Sequence, residues 1–258
     1  MKLKSKVAII TGGSSGIGQA AAVLFVKEGA KVVLADVDLK GSEETLAQIK
    51  KEKGEAFFIK TDISKSSEVQ NMVSKTLEKY GRIDILVNNA GVVRVGSLDD
   101  YSEEDFDLLF RTNVKGVFLC CKFVVPHMKK QKSGVIVNLA SIAAHVGQVN
   151  HSLYCASKAG SLAMTRALAL DLAPYNIRVN SVSPGATDTP MLRSDVAKQA
   201  KQRNMDPEDL RKEFESQGVM GRWAKPEEVA TGILFLASDE SSYMTGADIL
   251  MDGGWAAR

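Results

Sequence analysis

Tyr154 and Lys158 are the residues from which chemistry is most readily built. They stand four apart in Tyr154-Cys155-Ala156-Ser157-Lys158, at the start of an apolar helical segment, so both project from one helix face. A phenol with a pKa of about 10 is a poor base at neutral pH, but a neighbouring ammonium favours the phenolate. The pair can then take a proton from an alcohol or give one to a carbonyl. Ser141 ends a predicted strand, where its hydroxyl can hold the reacting oxygen. Alone, Tyr-x-x-x-Lys is a common accident of helices.

A glycine-rich turn gives the pair its context. The predicted strand Val7 to Thr11 runs into Gly12-Gly13-Ser14-Ser15-Gly16-Ile17-Gly18, and an Ala-rich helix follows through Glu28. Glycines permit a tight turn and a close backbone approach, and a helix N-terminus offers amides and a positive dipole end to a pyrophosphate. Gly12, Ser14, Ser15, Gly16, Ile17 and Gly18 are therefore candidate dinucleotide contacts. The spacing is Gly-x-x-x-Gly-x-Gly rather than Gly-x-Gly-x-x-Gly, and the Lys of a P-loop is absent. Asp36 closes the next strand. An acidic side chain there can accept from the adenosine ribose hydroxyls and repel a 2′-phosphate; the bland alternative is a strand-end Asp that caps the turn. No Arg lies nearby, and Lys40 is the nearest cation. NAD(H) is expected over NADP(H).

These groups need a scaffold, and the chain supplies one in repeating units. Short Val- and Ile-rich runs occur at Val7 to Thr11, Lys31 to Asp36, Ala56 to Thr61, Ile83 to Asn88, Val135 to Ala140, Ile177 to Val182 and Ala247 to Met251. Each is apolar through its middle, as strands buried on both faces are. Amphipathic segments such as Ser42 to Lys53 and Ser67 to Tyr80 alternate with them. The expectation is an α/β fold: a Rossmann-type doubly wound parallel sheet of about seven strands, with residues 1–258 forming one dinucleotide-binding domain. Residues 187–217 interrupt the pattern with Pro190, Pro207, many charges and weak periodicity. Following a strand C-terminus, where open sheets bind ligands, this stretch is expected to be a substrate lid; a solvated helical insertion is the alternative.

Composition removes other classes. The 258 residues are 45% hydrophobic and 25% charged, with a net charge of +2, which argues against disorder and against a field for nucleic acid or anionic membrane. No apolar stretch is long enough to span a bilayer, and Val7 to Ile10 is too short for a signal peptide. Cys120, Cys121 and Cys155 lack metal-ligand spacing, so no metal is expected, and a reduced cytoplasmic location fits.

Taken together, the motifs resemble the short-chain dehydrogenase/reductase family in its single-domain form, over nearly the whole chain. Beside the glycine turn, Asp62-Ile63 resembles the family's adenine contact, and Asn88-Asn89-Ala90-Gly91 matches the motif after the fourth strand. Asn113 matches the Asn that helps hold a water linked to the active-site Lys, and Ser141 precedes Tyr154 by the usual 13 residues. Pro184-Gly185 with Thr187 and Thr189 resembles the carboxamide-binding segment, although a branched aliphatic residue often stands where Thr187 does. The resemblance implies a catalytic set of Asn113, Ser141, Tyr154 and Lys158. It implies dinucleotide contacts at Asn89, Ala90, Gly91, Tyr154 and Lys158 as well, and a dimer or tetramer. The expected activity is NAD(H)-dependent interconversion of a secondary alcohol and a ketone. The alternatives are an NADP(H)-dependent 3-oxoacyl reductase and a regulator that binds the dinucleotide without turnover. Substrate-lining candidates are Val92 to Gly96, Ile142 to Ser152 and the lid. Arg94, His145, Gln148, Asn150 and His151 hint at a hydroxylated or anionic substrate.

Overall fold

All seven apolar runs become strands of one parallel sheet in the computed structural model, which describes residues 1–257. The strands are β1 (Val7–Thr11), β2 (Lys31–Asp36), β3 (Ala56–Lys60), β4 (Ile85–Asn88), β5 (Gly134–Leu139), β6 (Ile177–Pro184) and β7 (Asp248–Met251), in the order β3-β2-β1-β4-β5-β6-β7. The helices between them are α1 (Gly16–Lys27), α2 (Leu39–Lys51), α3 (Ser66–Tyr80), α4 (Glu103–Phe110), α5 (Val117–Gln131), α6 (Ser152–Leu172), α7 (Pro190–Arg203), α8 (Pro207–Gln217) and α9 (Pro226–Ala237). None of the described helices is long and apolar enough to cross a membrane.

Apolar residues throughout the strands follow from burial on both faces. In β1, Ala8 and Ile10 pack with Ala22 and Phe25 of α1 and Ile233 of α9. Ile9 points the other way, into a cluster with Val69 and Met72 of α3 and Val124 and Met128 of α5. Cys120 and Cys121 sit in that second cluster, as small core residues with thiols raised by burial. The direction of chain progression reverses between β1 and β4. A crevice therefore opens beyond their carboxyl ends, at Thr11 and Asn88.

A buried polar chain ties this sheet to the helix that carries Tyr154. Asn88 donates to Asn138 across β4 and β5 at 2.8 Å, and Asn138 donates to Thr165 of α6 at 2.8 Å. All three side chains are buried. Replacing Asn138 leaves the Asn88 amide without its acceptor and opens a hole. Asn138→Ala is expected to cost about 2–4 kcal/mol, read as a lowered denaturant midpoint.

The excursion at 187–217 is helical, not irregular. Thr189 caps α7 by accepting from the Leu192 amide at 3.2 Å, and Asp206 caps α8 by accepting from the Glu208 amide at 2.8 Å. Pro190 and Pro207 occupy the first helical positions, where a missing N–H costs nothing. Weak periodicity misled because these helices bury little. Val196, Ala200, Leu210 and Trp223 form a small core of their own.

Candidate active site

The crevice is a cavity of about 390 Å³ whose walls come from loops after successive strands. Gly12, Ser14, Ser15, Gly16 and Ile17 line it after β1, with Asp36 at the end of β2 and Asp62 and Ile63 after β3. Asn89, Ala90 and Gly91 line it after β4, Ser141 after β5, and Pro184, Gly185, Thr187 and Thr189 after β6. Tyr154 and Lys158 enter from α6. Gly18 and Asn113 are among the expected contacts that do not reach the cavity wall.

Gly18 lies behind the turn. A Cβ there would meet the Gly12 carbonyl oxygen at 2.0 Å, and one on Gly12 would meet the Ala90 backbone at 2.8 Å. The turn is thus a backbone cradle that added side chains would close. Gly12 also has φ +68°, which suits glycine. Asn89 fastens the cradle by donating its side-chain amide to the carbonyls of Thr11 and Gly12 at 3.0 and 2.9 Å.

Asp36 meets both readings offered for it. One carboxylate oxygen accepts from the Ser14 amide at 3.0 Å, and the other from the Asp38 amide at 3.1 Å. It caps the turn while still lining the cavity, and each oxygen keeps a second lone pair. Asp62 is held comparably. Burial opposes its charge, but hydrogen bonds from Ser64 and the nearby Lys65 ammonium bring its carboxyl below the usual range.

Asn113 is buried within a π-helical segment, Arg111–Gly116, between α4 and α5. Its side chain accepts from the Val92 amide at 2.9 Å and donates to the Val92 carbonyl at 2.9 Å and to Ser157 at 3.0 Å. It thereby joins the loop after β4 to α6. A Cβ on Gly91 would sit 3.2 Å from the Asn113 oxygen and 3.5 Å from Lys158 Nζ, so a side chain there would press on Asn113.

Burial outweighs charge at the Tyr154–Lys158 pair. Lys158 Nζ donates to the Leu139 carbonyl at 2.7 Å and lies 5.9 Å from the Tyr154 ring centroid. Desolvation pushes the ammonium down to about 8. The phenol is pushed up to about 12, chiefly by desolvation, while a hydrogen bond with Ser141 pulls it the other way. The lowered phenol expected from the neighbouring ammonium is therefore absent from the protein alone.

The polar substrate candidates divide. Gln148 and His151 line the cavity, whereas Arg94, His145 and Asn150 do not. His145 is engaged by Asp248 at 2.8 Å and Ser183 at 3.3 Å, and Arg94 pairs with Asp105 at 3.4 Å. The expected lid took in Asp195 and Phe214 without singling them out, and helices α7 and α8 bring both to the wall; sequence reasoning missed Trp255 near the C-terminus. Capping residues ahead of Pro190 and Pro207 were the available signal for the first two. Trp255 had none, because it arrives only through the return after β7.

A family model described as enoyl-(acyl carrier protein) reductase matches residues 12–256. A 3-oxoacyl-[acyl-carrier-protein] reductase of Thermotoga maritima is 42% identical, covering 98% of this chain and 99% of that protein. A meso-2,3-butanediol dehydrogenase of Serratia marcescens is 40% identical over 100% of this chain and 97% of its own length. The crystal structure of levodione reductase superposes with a TM-score of 0.95 at 35% identity, covering 99% of both chains. With the sheet order and the Tyr154–Lys158 helix, these place the chain in the short-chain dehydrogenase/reductase family of oxidoreductases, which bind a nicotinamide cofactor.

Lys158 also makes stability depend on pH. Its folded pKa lies below its unfolded value, so between about 8 and about 10.5 the unfolded chain binds the extra proton and stability rises with pH. The penalty at lower pH is up to about 3 kcal/mol. Lys158→Met removes it, so wild type should gain stability over this variant as pH rises from 7 to 10. Parallel denaturation curves at the two pH values would contradict the burial account.

Proposed function

We propose that the protein is an NAD(H)-dependent dehydrogenase/ketoreductase interconverting a secondary alcohol and a ketone, with Tyr154 as the acid/base. The observation that carries this reading is the convergence of Ser141, Tyr154 and Lys158 on a cavity that continues to the glycine cradle. The cradle fits a dinucleotide: a Cβ on Gly12 or Gly18 would close it, it stands at the N-terminus of α1, and Asp36 lines the same cavity with lone pairs free for ribose hydroxyls. Gly12, Ser14 to Ile17 and Asp36 would hold the adenosine half, with Asp62 and Ile63 beside the base. Asn89 to Gly91, Pro184, Gly185, Thr187 and Thr189 would line the nicotinamide half. A bound nicotinamide would supply or accept the hydride.

The chain's own residues manage the proton. Ser141 holds the substrate oxygen and the phenol in one hydrogen-bonded set. With its phenol at about 12, Tyr154 keeps its proton at neutral pH and starts as a general acid for carbonyl reduction. Oxidation needs positive charge beside it, which Lys158 provides below about pH 8. Asn113 positions the loop and α6 through Val92 and Ser157. Helices α7 and α8 act as the substrate lid within a single catalytic domain, bringing Met191, Leu192, Asp195 and Phe214 over the mouth. Leu170, exposed on the outer face of α6 beside Ala163, Arg166 and Ala167, offers a contact for a homo-oligomer. The free cysteines suit the reducing cytoplasm.

NAD+ is favoured because the Asp36 carboxylate would repel a 2′-phosphate, with Lys40 beside the same turn as the cation that could offset it; the repulsion separates the reading from an NADP(H)-dependent 3-oxoacyl reductase. The test is reduced-nicotinamide formation with NAD+ and NADP+ over secondary alcohols, and the reverse reaction with ketones and a 3-oxoacyl thioester. Tyr154→Phe should lower turnover at least ~100-fold while dinucleotide binding survives; full turnover would remove Tyr154 from the proton step. Asp36→Ala should reduce the NAD-over-NADP preference about tenfold, and an unchanged ratio would place selectivity elsewhere.

A further inference from the structure

Arg94 and Asn150, two polar residues of the expected substrate wall, are not among the described residues that line the cavity. They meet instead at Tyr101, and this gives them a different part to play. Tyr101 stands one residue before Ser102, the N-cap of α4. The Ser102 side chain accepts from the Asp105 amide at 3.2 Å, and the Ser102 amide donates to the Asp105 carboxylate at 3.3 Å. The phenol is therefore carried by the fixed start of a capped helix. Its ring lies along the backbone of Gly96, where an added Cβ would stand 3.8 Å from it.

The phenol joins two loops that are far apart in the chain. Its single proton is shared in a three-centre bond between the Asn150 carbonyl at 2.9 Å and the Arg94 carbonyl at 3.0 Å. The Asn150 carbonyl also accepts from the Gly96 amide at 3.0 Å, so its two lone pairs serve two donors. Asn150 reaches this position with φ +60°, a left-handed conformation that Asn tolerates and a β-branched residue does not. The Arg94 guanidinium fastens the first loop a second time, to Asp105 of α4 at 3.4 Å. Each joined residue borders the cavity wall. Val92 and Val93 come just before Arg94, Gln148 and His151 stand on either side of Asn150, and all four line the cavity.

We propose that Tyr101 is a positioning residue whose hydroxyl latches the loop after β4 to the loop after β5, so that Val92 and Val93 form one substrate wall with Gln148 and His151. The proposal rests on the alcohol/ketone reading above and names a residue that prepares the substrate end of that site. Tyr101 is itself not among the described lining residues, so it acts on a substrate only through the placement of the two loops. The glycine cradle is fastened separately, by Asn89 on the carbonyls of Thr11 and Gly12. Lys158 is held separately too, by the Leu139 carbonyl. Opening the latch lowers the fraction of molecules with a formed wall, and apparent substrate affinity falls by that fraction. Dinucleotide binding and the proton step do not pass through the latch.

The test is Tyr101→Phe, which keeps the ring and removes the hydroxyl. Amide hydrogen exchange in residues 92–100 and 146–151 should quicken about fivefold, the size of one hydrogen bond, while exchange in the turn at 12–18 stays as in the wild type. With cyclohexanol and saturating NAD+, KM should rise by a similar factor, and kcat and the affinity for NAD+ should not change. Asn150→Val, which strains the φ +60° position, should act in the same way. Asn150→Gly keeps both the carbonyl and the conformation and should retain the wild-type KM. Unchanged exchange in Tyr101→Phe overturns the latch. Faster exchange with an unchanged KM overturns its positioning role. A merely structural role would quicken exchange at 12–18 as well and weaken NAD+ binding and kcat together with KM, and that result also overturns the proposal. A wild type that forms no reduced nicotinamide from cyclohexanol counts against the dehydrogenase reading, and the exchange result then decides the latch by itself.

Discussion

An ammonium buried with no carboxylate paired to it among the described residues is the constraint around which the site is arranged. Lys158 is 7% exposed, and its one direct hydrogen bond among the described residues goes to the Leu139 carbonyl. A lone buried charge costs several kcal/mol, and here the pKa falls to about 8 in response. The surroundings must hold this strained group in place. Gly91 gives it room, β5 presents the accepting carbonyl, and α6 is tied to the sheet through Thr165, Asn138 and Asn88. Asn113 adds a second tie through Ser157. The same burial raises the Tyr154 phenol to about 12, so the two groups stand further apart in proton affinity than they would in water, each held towards its neutral form.

The glycine cradle depends on the sheet in a related way. Its shape needs α1 to pass against the Gly12 carbonyl, which only a residue without Cβ at position 18 allows. Asp36 then has two duties. It fixes the turn through the Ser14 amide and keeps lone pairs for hydroxyls that approach from the cavity. Structural capping and ligand recognition are not alternatives here, because a carboxylate has acceptor capacity for both. Asn89 likewise serves the cradle from behind, binding the carbonyls of Thr11 and Gly12.

The mouth of the cavity follows a different logic. Helices α7 and α8 carry a small core separate from the two that flank the sheet, and they bring apolar side chains and one carboxylate over the opening. Most of their charges face solvent or pair locally, as Arg193 does with Asp188 and Arg203 with Glu213. A segment fastened this lightly can differ in sequence without disturbing the sheet beneath it. The mouth of the cavity is therefore built where variation is tolerated, and Tyr154 and Lys158 sit on a helix tied to the sheet.

Sequence alone determined the strands and the residues at their carboxyl ends. Short, continuously apolar runs alternating with amphipathic segments have few other solutions than a parallel sheet covered on both faces, and glycine spacing is a backbone requirement written directly in residue types. Ser141, Tyr154, Lys158, Asp36 and the loop after β4 were legible for that reason. Helices α7 and α8 were not, since periodicity records burial and they bury little. Only the tertiary structure decided that Gly18 and Asn113 act from behind the wall, that His145 is occupied by Asp248, and that Asp195 and His151 line the same cavity. Such facts depend on distances between segments far apart in the chain, and local pattern carries no information about those distances. The proton affinities of Tyr154 and Lys158 belong with them, because desolvation is set by everything packed around a group and not by its neighbours in sequence.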